Sequence, residues 1–314
     1  MVKTILNEDK SNVNTFELIL QGNPINTLMS IQNKNLAIDN FTHSAEISIN
    51  GVRITISNYA NCKIDTTVFR FLDYLLIKMC KHLPYDRTNF ISDDKISQWQ
   101  AIKISVADYM KMTDLSNQTR TKNQMENSLT ALQNISLSWT EKTIKKKKIN
   151  YVPLDMSIVT AFKPVRGGYY IQFDMKFLRY LSSYSYIMLF SIEMFKINLN
   201  HYSNSYRLAR KLLLHTNMNS GKSNANTISV KNLLEVTDIP SYRDVVNSNN
   251  RGVKRLIITP FEKSMAYLKN INFLSDWSYQ NDISSTVKTA NYKDWSKFNI
   301  TYIIKSYPSK DKNK

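Results

Sequence analysis

The sequence predicts an α+β fold in which one pattern occurs twice. The first copy opens at Ile104-Ser105-Val106 and the second at Ile228-Ser229-Val230. In both copies there follows a polar Thr-Asp turn, a run with apolar residues three and four apart, and a strand ending at Trp139 or Trp277. An internal repeat of this kind carries more weight than any single motif. We interpret each copy as a helix-turn-helix followed by a β-hairpin, the arrangement of a winged helix.

Length and charge are compatible with two nucleic-acid-binding domains. A chain of 314 residues is long enough for about two domains with separate cores. Lys and Arg together number 42 against 25 Asp and Glu, which gives a net charge of +17. Such a charge favours phosphate polymers as partners. An AT-rich genome also enriches lysine, so the positions of the basic residues are more informative than their number.

The same composition argues against membrane and secreted classes. No segment reaches the roughly 20 apolar residues that a membrane span requires. The first eight residues are too poor in apolar side chains for a signal peptide, so we expect a cytoplasmic protein without a membrane partner. Cys62 and Cys80 are far from each other and from any histidine cluster, which makes a disulfide or a zinc site improbable.

Residues 1–62 are predicted to form a small β-rich N-terminal extension. Its clearest segment, residues 46–56, has two alternating strands around Asn50-Gly51, a strong hairpin signal. Dimer contact and simple packing both remain open as its role. From Asp65 to Pro84 the apolar pattern becomes helical and predicts the first core helix of winged-helix domain 1, residues 63–175.

The second helix of the first copy is the candidate recognition helix. Ser105 can cap the preceding short helix, and apolar Met125, Leu129 and Leu132 define the face that packs. The opposite face has side chains of the types that contact base edges and phosphates. These candidate DNA-binding residues are Thr119, Arg120, Lys122, Asn123, Gln124 and Asn127. A helix with a polar outer face is also compatible with packing alone, but its occurrence in two copies favours DNA binding.

A run of four lysines follows the Trp139 strand. We predict that this run is the tip of the domain 1 wing and contacts the phosphate backbone, which positions a protein without reading sequence. A solvated hairpin tip and a nuclear-type basic signal are the alternatives. The run consists of Lys145, Lys146, Lys147 and Lys148. Residues 169–173 return as a strand after Gly167-Gly168.

A segment rich in aromatic residues separates the two copies. From Phe177 the pattern predicts a long helical stretch that contains Tyr180, Tyr184, Tyr186, Phe190 and Phe195. Aromatic side chains can stack on bases. At helical spacing they more often belong to a core, which is the interpretation we favour. Upstream, in the loop after the predicted first core helix, the local acidic residues Asp86, Asp93 and Asp94 favour a solvated loop over a metal site.

Two segments around this stretch resemble a known family. Residues 171–181 contain a strand followed by an Asp-led helix that ends in Tyr180-Leu181, and residues 203–208 read Ser-Asn-Ser-Tyr-Arg-Leu. Both resemble the segments that join the two domains of iteron-binding plasmid replication initiators of the tandem winged-helix type. The resemblance covers roughly residues 65–305. The family usually has Tyr-Glu after Arg-Leu, where this chain has Ala209-Arg210.

The second copy predicts winged-helix domain 2, residues 176–305, followed by a disordered tail, residues 306–314. It is longer than the first copy in its middle, and Pro260 is expected to kink its long helix. Basic and amide side chains lie at the start of that helix and in the loop of the following hairpin. These candidate DNA-binding residues are Asn249, Asn250, Arg251, Lys254, Arg255, Lys288 and Lys293.

Residues for catalysis are not evident in the sequence. The four histidines, His43, His82, His201 and His215, include no His-x-His pair of the kind that holds a metal in nicking enzymes. Gly221-Lys222-Ser223 ends like a phosphate-binding loop, but Thr216 stands where that motif needs glycine, and Leu212 to His215 read as helix. We therefore expect a binding protein that is not an enzyme, with no cofactor and no metal site.

The resemblance implies a replication initiator of a plasmid or mobile element. Such a protein binds repeats at an origin in double-stranded DNA and recruits host replication proteins such as the helicase. In that family, dimers commonly repress the initiator's own gene while monomers bind the origin, so a homodimer is a possible partner. The alternatives are a winged-helix transcriptional regulator without an initiation role and a nicking enzyme with an unfamiliar site.

Overall fold

A computed structural model describes residues 16–31, 44–49, 52–57, 63–83, 92–145, 148–247, 252–280 and 292–307. Within these ranges, only the backbone of residues 49, 141–145, 148–154, 293 and 294 is described. The strands are β1 (Phe16–Gln21), β2 (Ser44–Ile49), β3 (Val52–Ser57), β4 (Ala101–Ser105), β5 (Ile135–Lys145), β6 (Lys148–Ser157), β7 (Val159–Val165), β8 (Gly168–Phe173), β9 (Tyr186–Ser191), β10 (Thr227–Ser229), β11 (Leu274–Tyr279) and β12 (Asn299–Ile304). The helices are α1 (Asn23–Met29), α2 (Thr66–Cys80), α3 (Asp93–Ser97), α4 (Val106–Thr113), α5 (Gln118–Gln133), α6 (Met175–Ser183), α7 (Leu199–Met218), α8 (Val230–Leu234), α9 (Tyr242–Asn247), α10 (Thr259–Asn270) and α11 (Tyr292–Trp295).

The first winged helix consists of α2, β4, α4, α5 and the hairpin β7–β8. Its three strands form an antiparallel sheet in the order β4-β8-β7. The hydroxyl of Ser105 accepts a hydrogen bond from the amide of Asp108 and caps α4, as the sequence predicts. Asp114 adopts a left-handed conformation (φ 54°) and ends α4, so that α5 starts in a new direction. The predicted helix-turn-helix is confirmed.

The second winged helix repeats this order with α7, β10, α8, α10 and the strands β11 and β12. Its sheet has the order β10-β12-β11, which matches the first domain strand for strand. The hydroxyl of Ser229 caps α8 through the amide of Asn232. The additional helix α9 contributes to the greater length of this copy. A π-helical turn, residues 254–258, precedes α10, and Pro260 lies in the first turn of α10. The predicted interruption at Pro260 therefore takes the form of a π-to-α transition.

The strand that ends at Trp139 does not have the position predicted from the repeat. It belongs to the long hairpin β5–β6, which is inserted between α5 and the wing strand β7. This hairpin pairs with the N-terminal hairpin in a four-stranded sheet of order β2-β3-β5-β6. Trp277, by contrast, lies on β11 within the three-stranded sheet of its own domain. The two copies therefore correspond at their openings and diverge after the recognition helix.

The aromatic segment forms a helix and a strand, whereas the sequence predicts one long helix. Helix α6 ends at Ser183, and β9 then pairs antiparallel with β1. Tyr180, Phe190 and Phe195 are buried, so the core role of these side chains is confirmed. The conformation of β9 depends on pairing with β1, which lies about 170 residues earlier in the chain. The residue pattern within β9 does not reveal such a distant partner.

The N-terminal residues are integrated into both domains. The predicted hairpin is confirmed as β2 and β3, although Asn50-Gly51 lies outside the described residues, and β3 pairs with β5. Strand β1 pairs with β9, which leads from the first domain to α7. Most of the predicted tail is also outside the described ranges. No helix in the described part of the chain is long and apolar enough to span a membrane.

The pairing of β4 with β8 can be tested at Gly168. A Cβ atom added there would lie 1.8 Å from the carbonyl oxygen of Ile104 on β4, whereas Gly167 (φ 78°) has no atom within 4 Å. We expect Gly168→Ala to lower the free energy of unfolding by about 1–3 kcal/mol through overpacking. Urea unfolding would measure the change. A wild-type midpoint for Gly168→Ala would contradict this strand pairing.

Candidate nucleic-acid interface

Helix α5 has one packed face and one exposed face. The side chain of Asn117 accepts a hydrogen bond from the amide of Arg120 (2.9 Å) and caps the helix. Met125, Leu129 and Leu132 are fully buried, as their spacing predicts. Of the predicted DNA-binding side chains on this helix, Gln124 is half-buried and the others are exposed. The exposed ones are Thr119, Arg120, Lys122, Asn123 and Asn127.

Tyr169 on β8 connects the wing sheet to α5 through hydrogen bonds. Its hydroxyl donates to the carbonyl of Lys122 and the carboxylate of Glu126, with both distances 3.2 Å. Burial, with a contribution from the Glu126 carboxylate, raises the pKa of Tyr169 to about 12. The hydroxyl therefore remains protonated at neutral pH and can donate. Glu126 is exposed on the polar side of α5 and was not among the predicted residues, since an acid is not expected in a phosphate-binding surface.

The wing of the first domain is the β7–β8 hairpin. Its tip includes Arg166 and Gly167, and Lys163 on β7 is exposed together with Arg166. The ammonium of Lys163 lies 5.6 Å from the centre of the Tyr170 ring, which is itself 41% exposed. Lys163 and Arg166 are absent from the predicted site residues. The Gly167-Gly168 pair between two short strands is the sequence feature that could have identified this hairpin as the wing.

The predicted assignment of the lysine run to the wing is wrong. Lys145 and Lys148 are paired at the end of β5–β6, which belongs to the sheet that contains the N-terminal hairpin. Lys146 and Lys147 lie outside the described residues. The backbone of the two described residues of the run therefore belongs to a hairpin other than β7–β8. Whether its lysines contact DNA stays a prediction.

One side of α5 borders a groove beside the second domain. The groove has a volume of about 850 Å³ and is lined on α5 by Arg120, Asn123, Gln124 and Asn127. On the opposite side it is lined by residues 196–200, before and at the start of α7. A guanidinium nitrogen of Arg120 lies 3.5 Å from the side-chain oxygen of Asn200. Thr119 and Lys122 do not line this groove. The groove therefore lies on the Arg120 and Asn127 side of the exposed face of α5.

The second domain has its own basic residues around α10. Lys254 and Arg255 are exposed on the π turn, and Lys263, which was not predicted, is exposed on α10. Lys293 lies in α11, but its side chain is not described. The remaining predicted residues of this domain lie outside the described ranges and keep their status as predictions. They are Asn249, Asn250, Arg251 and Lys288.

Acidic, histidine and cysteine side chains do not gather into a metal-binding group within the described ranges. Asp93 and Asp94 occupy the first turn of α3 instead of the predicted loop, and Asp93 pairs with Arg179 of α6. The segment before Gly221 is helical, as predicted, because α7 extends to Met218. The strand that precedes a phosphate-binding loop is therefore not present at this position.

The cap of α5 provides a test of how the exposed face is positioned. We expect Asn117→Ala to lower the free energy of unfolding by about 1 kcal/mol, because the first turn of α5 loses its side-chain acceptor. Urea denaturation followed by circular dichroism would measure the change. The adjacent exposed residue offers the control Ser116→Ala. Equal stabilities of the two variants would contradict the assigned cap.

Comparisons with known proteins identify no family. No protein-family model matches the sequence, and none of the curated proteins is a significant match. Among solved structures, RctB domains 2-3 (residues 155–483) align with a TM-score of 0.43 and 11% identity over 83% of this chain and 90% of that chain. A selenomethionine derivative of domains 2 and 3 of RctB aligns with a TM-score of 0.45 and 9% identity over 91% and 99%. At these values the similarity does not assign a function.

Proposed function

We propose that the protein is a sequence-specific double-stranded DNA-binding protein that initiates replication of a plasmid or mobile element. The observation that carries this proposal is the presence of two winged helices in one chain. Both have the same sheet order and a serine cap before their helix-turn-helix. Recognition helices of this class enter the major groove, and two in one chain can read two segments of a duplex without a second subunit.

Reading and positioning are assigned to different side chains. Asn123 and Asn127 are exposed on α5 and are of the type that contacts adenine edges, whereas Lys122 suits guanine or phosphate. Lys163 and Arg166, which are exposed on the wing, would bind phosphates. In the second domain Lys254 and Arg255 would have the corresponding role near the start of the long helix. The net charge of +17 favours encounter with DNA of any sequence.

The initiator role is supported by the resemblance of two joining segments to plasmid initiators. The first consists of β8 and α6, where Asp174 caps α6 through the amide of Lys176. The second lies within α7. On this proposal the protein acts in the cytoplasm, binds repeats at an origin and recruits host proteins such as the helicase. A homodimer that represses its own gene belongs to the same proposal.

The first test is binding to the DNA that flanks the protein's own gene. We expect preference over a shuffled duplex at about 50 and about 200 mM salt, with the affinity falling about 10³- to 10⁵-fold between them if 6–10 phosphates are contacted. Preference for direct repeats beside an AT-rich tract supports an initiator. Preference for a single inverted repeat supports a transcriptional regulator instead. Equal binding to both duplexes would refute sequence-specific recognition.

We also propose that DNA is a ligand of this protein and not its substrate. Supercoiled DNA that carries the flanking repeats would be incubated with the protein and Mg²⁺ or Mn²⁺. We expect the DNA to remain supercoiled. A nicked product that depends on the protein would overturn the proposal that the protein is not an enzyme.

The two basic hairpins can be compared directly. We expect Lys163→Gln with Arg166→Gln to weaken binding to specific and shuffled duplexes alike and to flatten the salt dependence, because phosphate contacts are lost. The comparison variant replaces the lysines of the β5–β6 hairpin, residues 145–148, by glutamine. Titrations at several salt concentrations would measure both. If only the second variant lost affinity, the β5–β6 hairpin would be the DNA-contacting element and β7–β8 would not.

A further inference from the structure

The first residues of the described chain form a segment that lies on both domains. This N-terminal clip, residues 16–31, consists of β1 and α1. Strand β1 pairs with all six residues of β9 and packs on α2 of the first domain. Ile19, Leu20, Ile25 and Leu28 of the clip are fully buried. The clip is therefore part of the core between the two winged helices.

Arg210 joins three separate parts of the chain through one guanidinium group. It lies on α7 of the second domain, and its Nε donates to both carboxylate oxygens of Asp73 on α2 of the first domain, at 3.0 and 3.2 Å. Its Nη2 donates to Gln21 at 2.7 Å and its Nη1 to Asn26 at 3.3 Å, both within the clip. Asp73 is fully buried and also accepts from the hydroxyl of Tyr206 at 2.7 Å.

Arg207, one turn earlier on α7, links the same three parts. Its Nη1 donates to the carbonyl of Ile31 in the clip at 2.7 Å, and its Nε donates to the hydroxyl of Thr66 on α2 at 3.0 Å. The carboxylate of Asp238, in the turn after α8, lies 3.5 Å from its Nη2. Only 3% of Arg207 is exposed. The clip thus contacts both arginines, Arg210 through Gln21 and Asn26 and Arg207 through Ile31.

These contacts restrict how the domains can move. Rotation of α7 against α2 would separate Arg210 from Asp73 and leave two charged groups in the dry interior, where water cannot replace the lost partner. The planar guanidinium of Arg210 also fixes the orientation of α7 relative to α2 and the clip, because its three nitrogens donate to three different residues. A flexible tether between two domains would impose no such restriction.

We propose that the N-terminal clip, with Arg207 and Arg210, holds the two winged helices as one rigid body and thereby makes the protein selective for the spacing between the two DNA segments it reads. This inference rests on the proposed function. Inserting one base pair moves the second segment by about 3.4 Å and rotates it by about 34°. A rigid pair of recognition helices cannot follow that rotation, whereas domains on a tether can.

The rigid junction can be tested without DNA. Spin labels would be attached at Gln118→Cys on α5 and Ala266→Cys on α10, both exposed, in a Cys62→Ser and Cys80→Ser background. Pulsed dipolar spectroscopy should give one narrow distance distribution for this protein. In the clip variant Gln21→Leu with Asn26→Leu the distribution should become at least about twofold wider. The matched control Gln133→Leu with Asn219→Leu, which changes amides outside the junction, should remain narrow.

A broad distribution in the parent protein, or an unchanged width in the clip variant, would overturn the rigid junction. If the clip variant does not fold, Arg210→Lys replaces it in the same experiment. Lysine retains the charge that faces Asp73, but one ammonium cannot reach Asp73, Gln21 and Asn26 together. The same widening is expected, and an unchanged width would again overturn the inference.

The consequence for DNA is tested with duplexes that have the two segments at altered spacings. For the wild type we expect a loss of affinity of at least about tenfold when five base pairs, about half a turn, are inserted. The clip variant should lose about threefold or less, while both proteins bind a single segment equally. Equal wild-type affinity at every spacing would refute spacing selectivity. Absence of any sequence preference would refute the proposed function, and the spin-label distances would still decide whether the junction is rigid.

Discussion

The arrangement of this protein depends on the burial of one ion pair, Asp73 with Arg210. Both side chains are buried, because Asp73 is 0% and Arg210 7% exposed. Burial raises the pKa of Asp73, and the Arg210 charge and the Tyr206 hydroxyl oppose that effect by stabilising the carboxylate. A buried pair of this kind adds little net stability, but removing one partner costs about 3–5 kcal/mol. Its main effect is therefore to exclude other arrangements of the elements that contribute its partners.

Helix α2 is the element around which these contacts are organised. From Val68 to Ile77 every residue is buried, including the charged Arg70 and Asp73. Arg70 donates to the carbonyls of Phe195 and Ile197, and Asp73 accepts from α7. Because α2 is enclosed on all sides, it belongs as much to the junction as to the first domain. This explains why polar residues occur on a helix whose other positions are apolar.

The junction also determines where the candidate reading surfaces lie. Arg70 fixes residues 195–197, and the segment that follows lines the groove beside α5. The start of α7 contacts α10 as well, because the rings of Tyr202 and Tyr267 stack. Helices α5 and α10, the candidate recognition helices, are thus both in contact with residues 200–202 at the start of α7. A change at the junction would reach them through this segment, without any change in the residues proposed to contact DNA.

Local features of the chain follow from the sequence because they depend on residues a few positions apart. The caps at Ser105 and Ser229 need only a hydroxyl and a nearby free amide. The packed face of α5 and the hairpin of residues 44–57 follow from periods of 3.6 and 2. These features are sufficient to predict two helix-turn-helix units and the exposed polar face of α5.

Strand pairing and buried charge were decided by the tertiary structure, because both depend on partners far away in the sequence. The lysine run follows the recognition helix at the distance of a wing, yet β5–β6 pairs with β3 and leaves the wing to β7–β8. Tyr186 to Ser191 continue a helical pattern but become a strand because β1 offers an edge. In the sequence, Arg210 is notable only because it stands where the plasmid initiators that this chain resembles usually have Glu. Its role follows from Asp73, Gln21 and Asn26, which lie more than a hundred residues away and reach it only when the core closes.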